Sequence, residues 1–185
     1  MTPHDLGAEW RSEMSEFHRL VEREIPRLRR YARALTRSID RADDLVQETL
    51  LRAIAKEHLW QTGTDLRAWL FTIMHNQYVN IVRRAMRDES AVDINQLTSS
   101  LIATTDPTAS RQLHELDRAL ACLREEQREV ILLVGLEGMS YEAAAQILNV
   151  PVGTVRSRLS RGRDALRKLL DMDQRPSAAA LPEAA

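Results

Sequence analysis

Between Glu16 and Thr36, apolar side chains fall at helical spacing: Phe17, Leu20, Val21, Ile25, Leu28, Tyr31, Ala32 and Leu35. Pro26 interrupts the run and predicts a kink, or two helices meeting there. A turn at Ser38-Ile39-Asp40 leads to a second helix from about Arg41 to Lys56, with Asp40 or Asp43 near its start. Thr64 or Asp65 can cap a third, from about Leu66 to Arg87. Residues 88–110 lose the period, are rich in Ser, Thr, Asp and Asn, contain Pro107, and read as a linker. Helical spacing returns with Leu113, Leu116, Leu120 and Leu123, followed by a buried helix over Val130-Ile131-Leu132-Leu133-Val134. Gly135 and Gly138 punctuate the turn after it, and Ser140 can cap the next helix, with Glu142 near its positive end. Met139 to Arg158 then reads as two short helices joined by a tight turn. The pattern is all-α: two small helical domains, residues 1–88 and 111–172, a flexible linker over 89–110, and a frayed tail over 173–185.

Composition adds mainly exclusions. Aromatic residues are 4% of the chain, too few for a typical sandwich or barrel. Net charge is −1, so any nucleic-acid contact needs segregated charge. Thr154 to Lys168 supplies it, with Arg156, Arg158, Arg161, Arg163, Arg167 and Lys168 against Asp164 alone. Lys56 and Lys168 are the only lysines, and the arginine bias favours forked contacts to phosphate and guanine. One cysteine, Cys122, excludes a disulfide framework, and the five histidines show no ligand spacing, so no metal or cofactor is expected. No nucleophile–base arrangement or phosphate loop points to an enzyme. No apolar run reaches membrane length and no signal core opens the chain, which places the protein in the cytoplasm.

The last helix sorts its residues by face. Val155, Leu159, Gly162, Leu166 and Leu169 make the core stripe. Gly162 costs up to about 1 kcal/mol against alanine in a helix interior, which predicts a close helix contact there. Arg156, Ser157, Ser160 and Arg161 lie opposite. Arginine pairs bidentately with guanine and serine bonds to bases or phosphates. Arg158, Arg163 and Arg167 on the flanks suit phosphate contacts, and Pro151 fixes the entry to the helix. A helix of this kind after a short helix and tight turn is a helix-turn-helix that enters the DNA major groove.

The first domain carries a different pattern. Trp60, Trp69, Phe71 and Tyr78 cluster near Arg67, Arg83, Arg84 and Arg87, and aromatic faces beside arginine grip unpaired bases. Core packing competes for Trp69 and Phe71, since Leu66, Trp69, Leu70 and Ile73 keep helical spacing. Asn76, Gln77 and Asn80 read as amides on the polar side, able to bond to exposed bases. In the second helix Leu45, Glu48 and Arg52 share a face, and Asp44, Gln47 and Glu48 form a polar edge that either docks on a partner or is solvated.

Three segments in one order resemble the extracytoplasmic-function type of bacterial sigma factor: Asp43-Asp-Leu-Val-Gln-Glu-Thr49, Leu66-Arg-Ala-Trp-Leu-Phe-Thr-Ile73 with Asn76 following, and Tyr141-Glu-Ala-Ala-Ala145 with Pro151-Val-Gly-Thr-Val-Arg-Ser-Arg158. The resemblance runs from about Phe17 to Leu170. It implies that Asp44, Leu45, Gln47 and Glu48 dock on the β′ clamp helices of core RNA polymerase, with the β flap as a further contact. It implies a loop from Trp60 to Asp65, with Gly63 and Thr64, that captures a flipped minus-10 base; Trp69, Asn76, Asn80, Arg83 and Arg84 would join that contact. Thr154, Arg156, Ser157, Arg158, Ser160 and Arg161 would read the minus-35 element, and the linker would pass through the polymerase cleft. Gly63-Thr-Asp-Leu-Arg-Ala-Trp-Leu-Phe-Thr-Ile73 is similar to the alphaproteobacterial general-stress subgroup, which implies an anti-sigma partner. No receiver-like α/β segment marks the chain as that subgroup's response regulator, and about fifteen residues after Leu170 leave no room for a large extra domain. The competing reading is a stand-alone helix-turn-helix regulator with an N-terminal sensor or interaction domain.

Overall fold

The structure, a computed structural model, describes residues 16–87 and 107–173. Residues 89–106 of the linker predicted over 89–110, and 174–185 of the tail predicted over 173–185, lie outside the described residues, while Asp173 is helical. Two compact units emerge. The first holds three helices, α1 (Glu16–Thr36), α2 (Ile39–Ala55) and α3 (Leu66–Arg87), with a short 3-10 turn at Glu57–Leu59. The second is built on α4 (Pro107–Ala121), α5 (Glu125–Ile131), the first part of α6 (Tyr141–Leu148) and α7 (Val152–Asp173). No strand occurs among the described residues.

In the first unit Leu28, Tyr31, Ala32 and Leu35 of α1 pack with Leu45, Val46 and Ala53 of α2 and Leu70, Phe71 and Met74 of α3. Tyr31 and Phe71 meet edge to face at 5.1 Å. Pro26 does not divide α1, which is one continuous helix. The proline lies on the exposed face, where water can satisfy the carbonyl its missing N–H releases. Buried Val21 and Leu28 hold the helix on either side.

α2 starts two residues before the sequence-based estimate because Ser38 is the cap, its hydroxyl accepting from the Arg41 N–H at 3.4 Å. The α1–α2 turn is correspondingly tight, and Arg37 closes α1 in the left-handed region at φ 56. α3 has the expected bounds, with Asp65 as its cap: the Ala68 N–H donates to Oδ1 at 3.0 Å.

In the second unit α4 begins at Pro107, so residues 107–110 are helical where a linker was expected. Proline suits a first helical turn, whose N–H groups have no partner within the helix. The apolar run from Val130 to Val134 is only partly α-helical. α5 ends at Ile131 and a π turn follows over Leu132–Leu136, closed by the Glu137 N–H on the Leu132 carbonyl at 3.0 Å. Val130, Leu132 and Leu133 are buried with Val155 and Leu159 of α7.

Candidate nucleic-acid interface

α6 and α7 form a helix-turn-helix with each end fixed. The Ser140 hydroxyl accepts from the Ala143 N–H at 3.0 Å and caps α6 as expected. At the other end Asn149 is left-handed at φ 51, and the Val150 N–H bonds back to the Ala145 carbonyl at 3.0 Å. That bond closes the helix as a left-handed C-terminal cap, with asparagine in the place glycine usually takes. The Pro151 carbonyl then accepts from the N–H groups of Thr154 and Val155, opening α7.

The core stripe of α7 is Val155, Leu159 and Gly162, all buried, with Leu166 and Leu169 half-buried beyond them. A Cβ on Gly162 would stand 2.8 Å from Ile131 Cδ1 and 3.2 Å from Gln127 Cβ, which is the close contact with α5 that the glycine predicts. Arg156, Ser157, Ser160 and Arg161 are exposed together on the opposite side, and Thr154 is half-buried at the start of the row. Arg161 folds along this face, donating Nε–H to the Ser157 carbonyl and Nη2–H to its hydroxyl, each at 3.2 Å. The Ser157 hydroxyl donates to the Thr154 carbonyl at 3.0 Å. Arg158 turns inward, with Nη2 3.2 Å from Glu126 of α5, so it braces the helix as well as flanking the exposed row. Tyr141, which periodicity did not single out, lies under the Arg156 guanidinium, 5.9 Å from Cζ to ring centroid.

In the first unit the loop between the 3-10 turn and α3 is exposed from Gln61 to Asp65. Gly63 takes φ 91 with nothing within 4 Å of its Cβ direction, so its backbone is open to an incoming group. The Gln61 carbonyl accepts from the Thr64 N–H at 3.1 Å and from its hydroxyl at 2.7 Å, holding the loop in shape. Trp60 and Trp69 flank the loop, but both rings rest on buried Phe17 of α1, at 5.5 and 6.1 Å between centroids. They are half-buried and hold the loop rather than offering two open faces. Phe71 and Tyr78 are core. Asn76, Asn80, Arg83 and Arg84 are exposed along α3. Gln77 is 8% exposed, so it leaves the polar side to which the sequence assigned it.

On α2, Asp44 and Gln47 are exposed and Glu48 is half-exposed, paired with Arg52 at 2.6 Å. Leu45 is 1% exposed and belongs to the core, which corrects its placement on a docking surface. Packing takes the row Ala42, Leu45, Val46, Thr49 and Ala53, the Thr49 hydroxyl being satisfied by the Leu45 carbonyl at 2.7 Å. Leu51, at 65%, and Ile54, at 45%, are the apolar residues left open beside the acidic edge; the sequence reading did not select them. Among the described residues no cluster could hold a metal ion, and no helix is long and apolar enough to cross a membrane.

Comparison with known proteins covers both units. The Sigma2 domain of PhyR family matches residues 21–75, and the Sigma-70, region 4 family matches residues 113–166. The chain is 43% identical over 149 residues to the ECF RNA polymerase sigma factor EcfG of Rhodopseudomonas palustris, spanning 80% of this chain and 82% of that one. Among solved structures, the sigma factor RpoE in complex with the anti-sigma factor NepR from Bartonella quintana superposes with a TM-score of 0.75 at 37% identity. That likeness covers 87% of this chain and all of the other. CnrH in complex with the cytosolic domain of CnrY gives 0.64 at 29% identity, over 85% and 88% of the two chains.

Proposed function

The chain belongs to the extracytoplasmic-function (ECF) RNA polymerase sigma factors, and from that membership we propose how its two units divide promoter recognition. The protein binds core polymerase, directs it to specific promoters and starts transcription by reading the minus-35 element and opening the minus-10 element. Residues from Pro107 to Asp173 form the duplex-reading domain, residues 1–88 the domain for core and melted strand, and 89–106 the tether between them. The polymerase supplies the catalysis, in the cytoplasm, and this chain adds recognition without a cofactor.

The observation that carries this division is the exposed row Arg156, Ser157, Ser160 and Arg161 on a helix whose other side is buried. Laid in the major groove, that row meets base edges, Thr154 and Arg158 meet the backbone beside it, and α6 crosses the phosphates. In the first unit the loop Gln61–Asp65 takes an extruded minus-10 base. Trp60 and Trp69 keep the loop in place from their seat on Phe17. Asn76 and Asn80 bond to the displaced strand, and Arg83 and Arg84 neutralise its phosphates. Extruding a base costs a few kcal/mol, which hydrogen bonds and stacking worth about 1–3 kcal/mol per base offset.

Asp44, Gln47 and Glu48 dock on the β′ clamp helices, with Leu51 in the role first given to Leu45; the duplex-reading domain reaches the β flap. The similarity to complexes with NepR and CnrY supports an anti-sigma partner for this chain, and the likeness to EcfG supports the general-stress subgroup. The test is reconstitution: purified protein added to core polymerase gives a stable holoenzyme that transcribes from discrete starts. The match of residues 21–75 to the Sigma2 domain of PhyR, with a likeness at 26% identity and a TM-score of 0.59 to the PhyRSL–NepR complex from Sphingomonas, favours a second reading, an anti-sigma binder that does not serve polymerase. Failure to bind core, with anti-sigma binding intact, is the result that selects it.

A further inference from the structure

We propose that Tyr141 is a positioning residue for sequence recognition: its ring holds the Arg156 guanidinium by the face and presents the in-plane N–H donors to a base edge. The proposal rests on the reading of α7 as the duplex-reading helix.

Arg156 is held differently from its neighbours. Arg161 spends Nε and Nη2 on Ser157. Arg158 is paired with Glu126 at 3.2 Å, and Arg167 with Asp164 at 2.8 Å. Each of those contacts uses N–H groups in the guanidinium plane, the same groups that form a bidentate pair with guanine. A ring contact uses the face instead. The negative face of the Tyr141 ring attracts the cation, 5.9 Å from Cζ to the centroid, and a contact of this kind need not use the in-plane N–H groups. The contact therefore restrains the side chain without consuming the donors that recognition needs.

The restraint has a second effect. An exposed arginine loses considerable rotamer freedom when it docks on a base, and a side chain already held in one region loses less. The support beneath the ring is itself fixed. Tyr141 is the first residue of α6, directly after the Ser140 cap, and Arg156 lies in the first turns of α7 beyond Asn149 and Pro151. Tyr141, Arg156, Ser160 and Arg163 line one open depression of about 230 Å³, with Asp164 and Arg167 also in its lining. Other residues could fill the Tyr141 position without disturbing the core, because the side chain is only half-buried.

The experiment uses holoenzyme reconstituted from the full chain and core polymerase, and selects bound duplexes from a pool randomised across the minus-35 region. The readout is the enrichment of the preferred base over the next at each position. Arg156→Ala flattens the preference at one position. Tyr141→Leu flattens the same position by roughly two- to fivefold, the range for an exposed cation–π contact. Tyr141→Phe keeps the wild-type profile, and Tyr141→Trp, with the stronger ring, keeps or sharpens it. Tyr141→Leu added to Arg156→Ala changes nothing more. If Tyr141→Phe loses as much as Tyr141→Leu, the hydroxyl touches DNA directly and the positioning role is wrong. If Tyr141→Leu weakens all positions alike, or still costs enrichment without Arg156, the two residues act independently and the proposal fails. If Arg156→Ala flattens no position, the reading of α7 fails first and takes the proposal with it. The Tyr141→Trp arm decides the matter even where Tyr141→Leu proves unstable.

Discussion

Gly162 of α7 and Ile131 of α5 approach so closely that a Cβ on the glycine would lie 2.8 Å from Ile131 Cδ1. Two effects oppose each other on substitution. Alanine gains up to about 1 kcal/mol of helix propensity. Against this, Ile131 must turn its terminal methyl, and Gln127 Cβ, at 3.2 Å, must give by a few tenths of an ångström. Gly162→Ala is expected to shift stability by no more than about 1 kcal/mol. Gly162→Leu forces the helices apart and costs about 1–3 kcal/mol or more. Urea unfolding of the two variants checks this; a neutral leucine variant would mean the contact is not tight.

Ser140 carries the start of the helix-turn-helix. Its hydroxyl is the acceptor for the Ala143 N–H. Ser140→Ala should lose about 1 kcal/mol, and Ser140→Asp should keep most of it, because aspartate caps equally well. Thermal melting separates the two. Equal melting temperatures for alanine and aspartate would remove the cap from the account.

Leu45 and Leu51 stand on one helix, yet their roles separate cleanly. Leu45 is buried, so Leu45→Ala should cost about 2–5 kcal/mol of stability. Leu51 is open to solvent, so Leu51→Glu should leave the melting temperature nearly unchanged while weakening binding to core polymerase at least tenfold, about 1.4 kcal/mol. Size-exclusion titration against core reads the second effect. Unchanged core affinity for Leu51→Glu would move the docking surface elsewhere.

Adjacent amides on α3 should also part company. Asn76→Ala should slow promoter opening, followed by permanganate reactivity of the minus-10 thymines, while sparing core binding. Gln77→Ala should lower stability first, because that side chain is buried. Normal permanganate footprints for Asn76→Ala would take Asn76 out of the site.

Much of this was legible because local signals agreed. α3 shows it best: Asp65 at the cap and regular apolar spacing after it gave its bounds. The stripe of α7, with a glycine that demanded a close neighbour, identified both its buried and its exposed side. Elsewhere tertiary packing chose between options the chain left open. α2 carries Leu45, Val46, Leu50, Leu51 and Ile54 around much of its circumference, so periodicity alone could not say which row would be buried. The bundle buried Leu45, Val46 and Thr49 and left Leu51 outside. Gln77 was misassigned because residue type outweighed position, and whether the chain around Pro26 forms one helix or two depends on the fold. Tyr141 entered only as part of a resembling segment and was given no role, since its contact with Arg156 exists only across the turn.

Under the proposed function, one chain reads a promoter in two places, on duplex and on melted strand. Mapping the 5′ ends of transcripts made by core polymerase with this protein, on a pool of genomic or randomised templates, tests it most directly. New starts are expected, preceded by two short shared elements at near-constant separation, with Arg156→Ala altering only the upstream element and Asn76→Ala reducing opening at the downstream one. No new starts, or starts that share a single element, would contradict reading in two places.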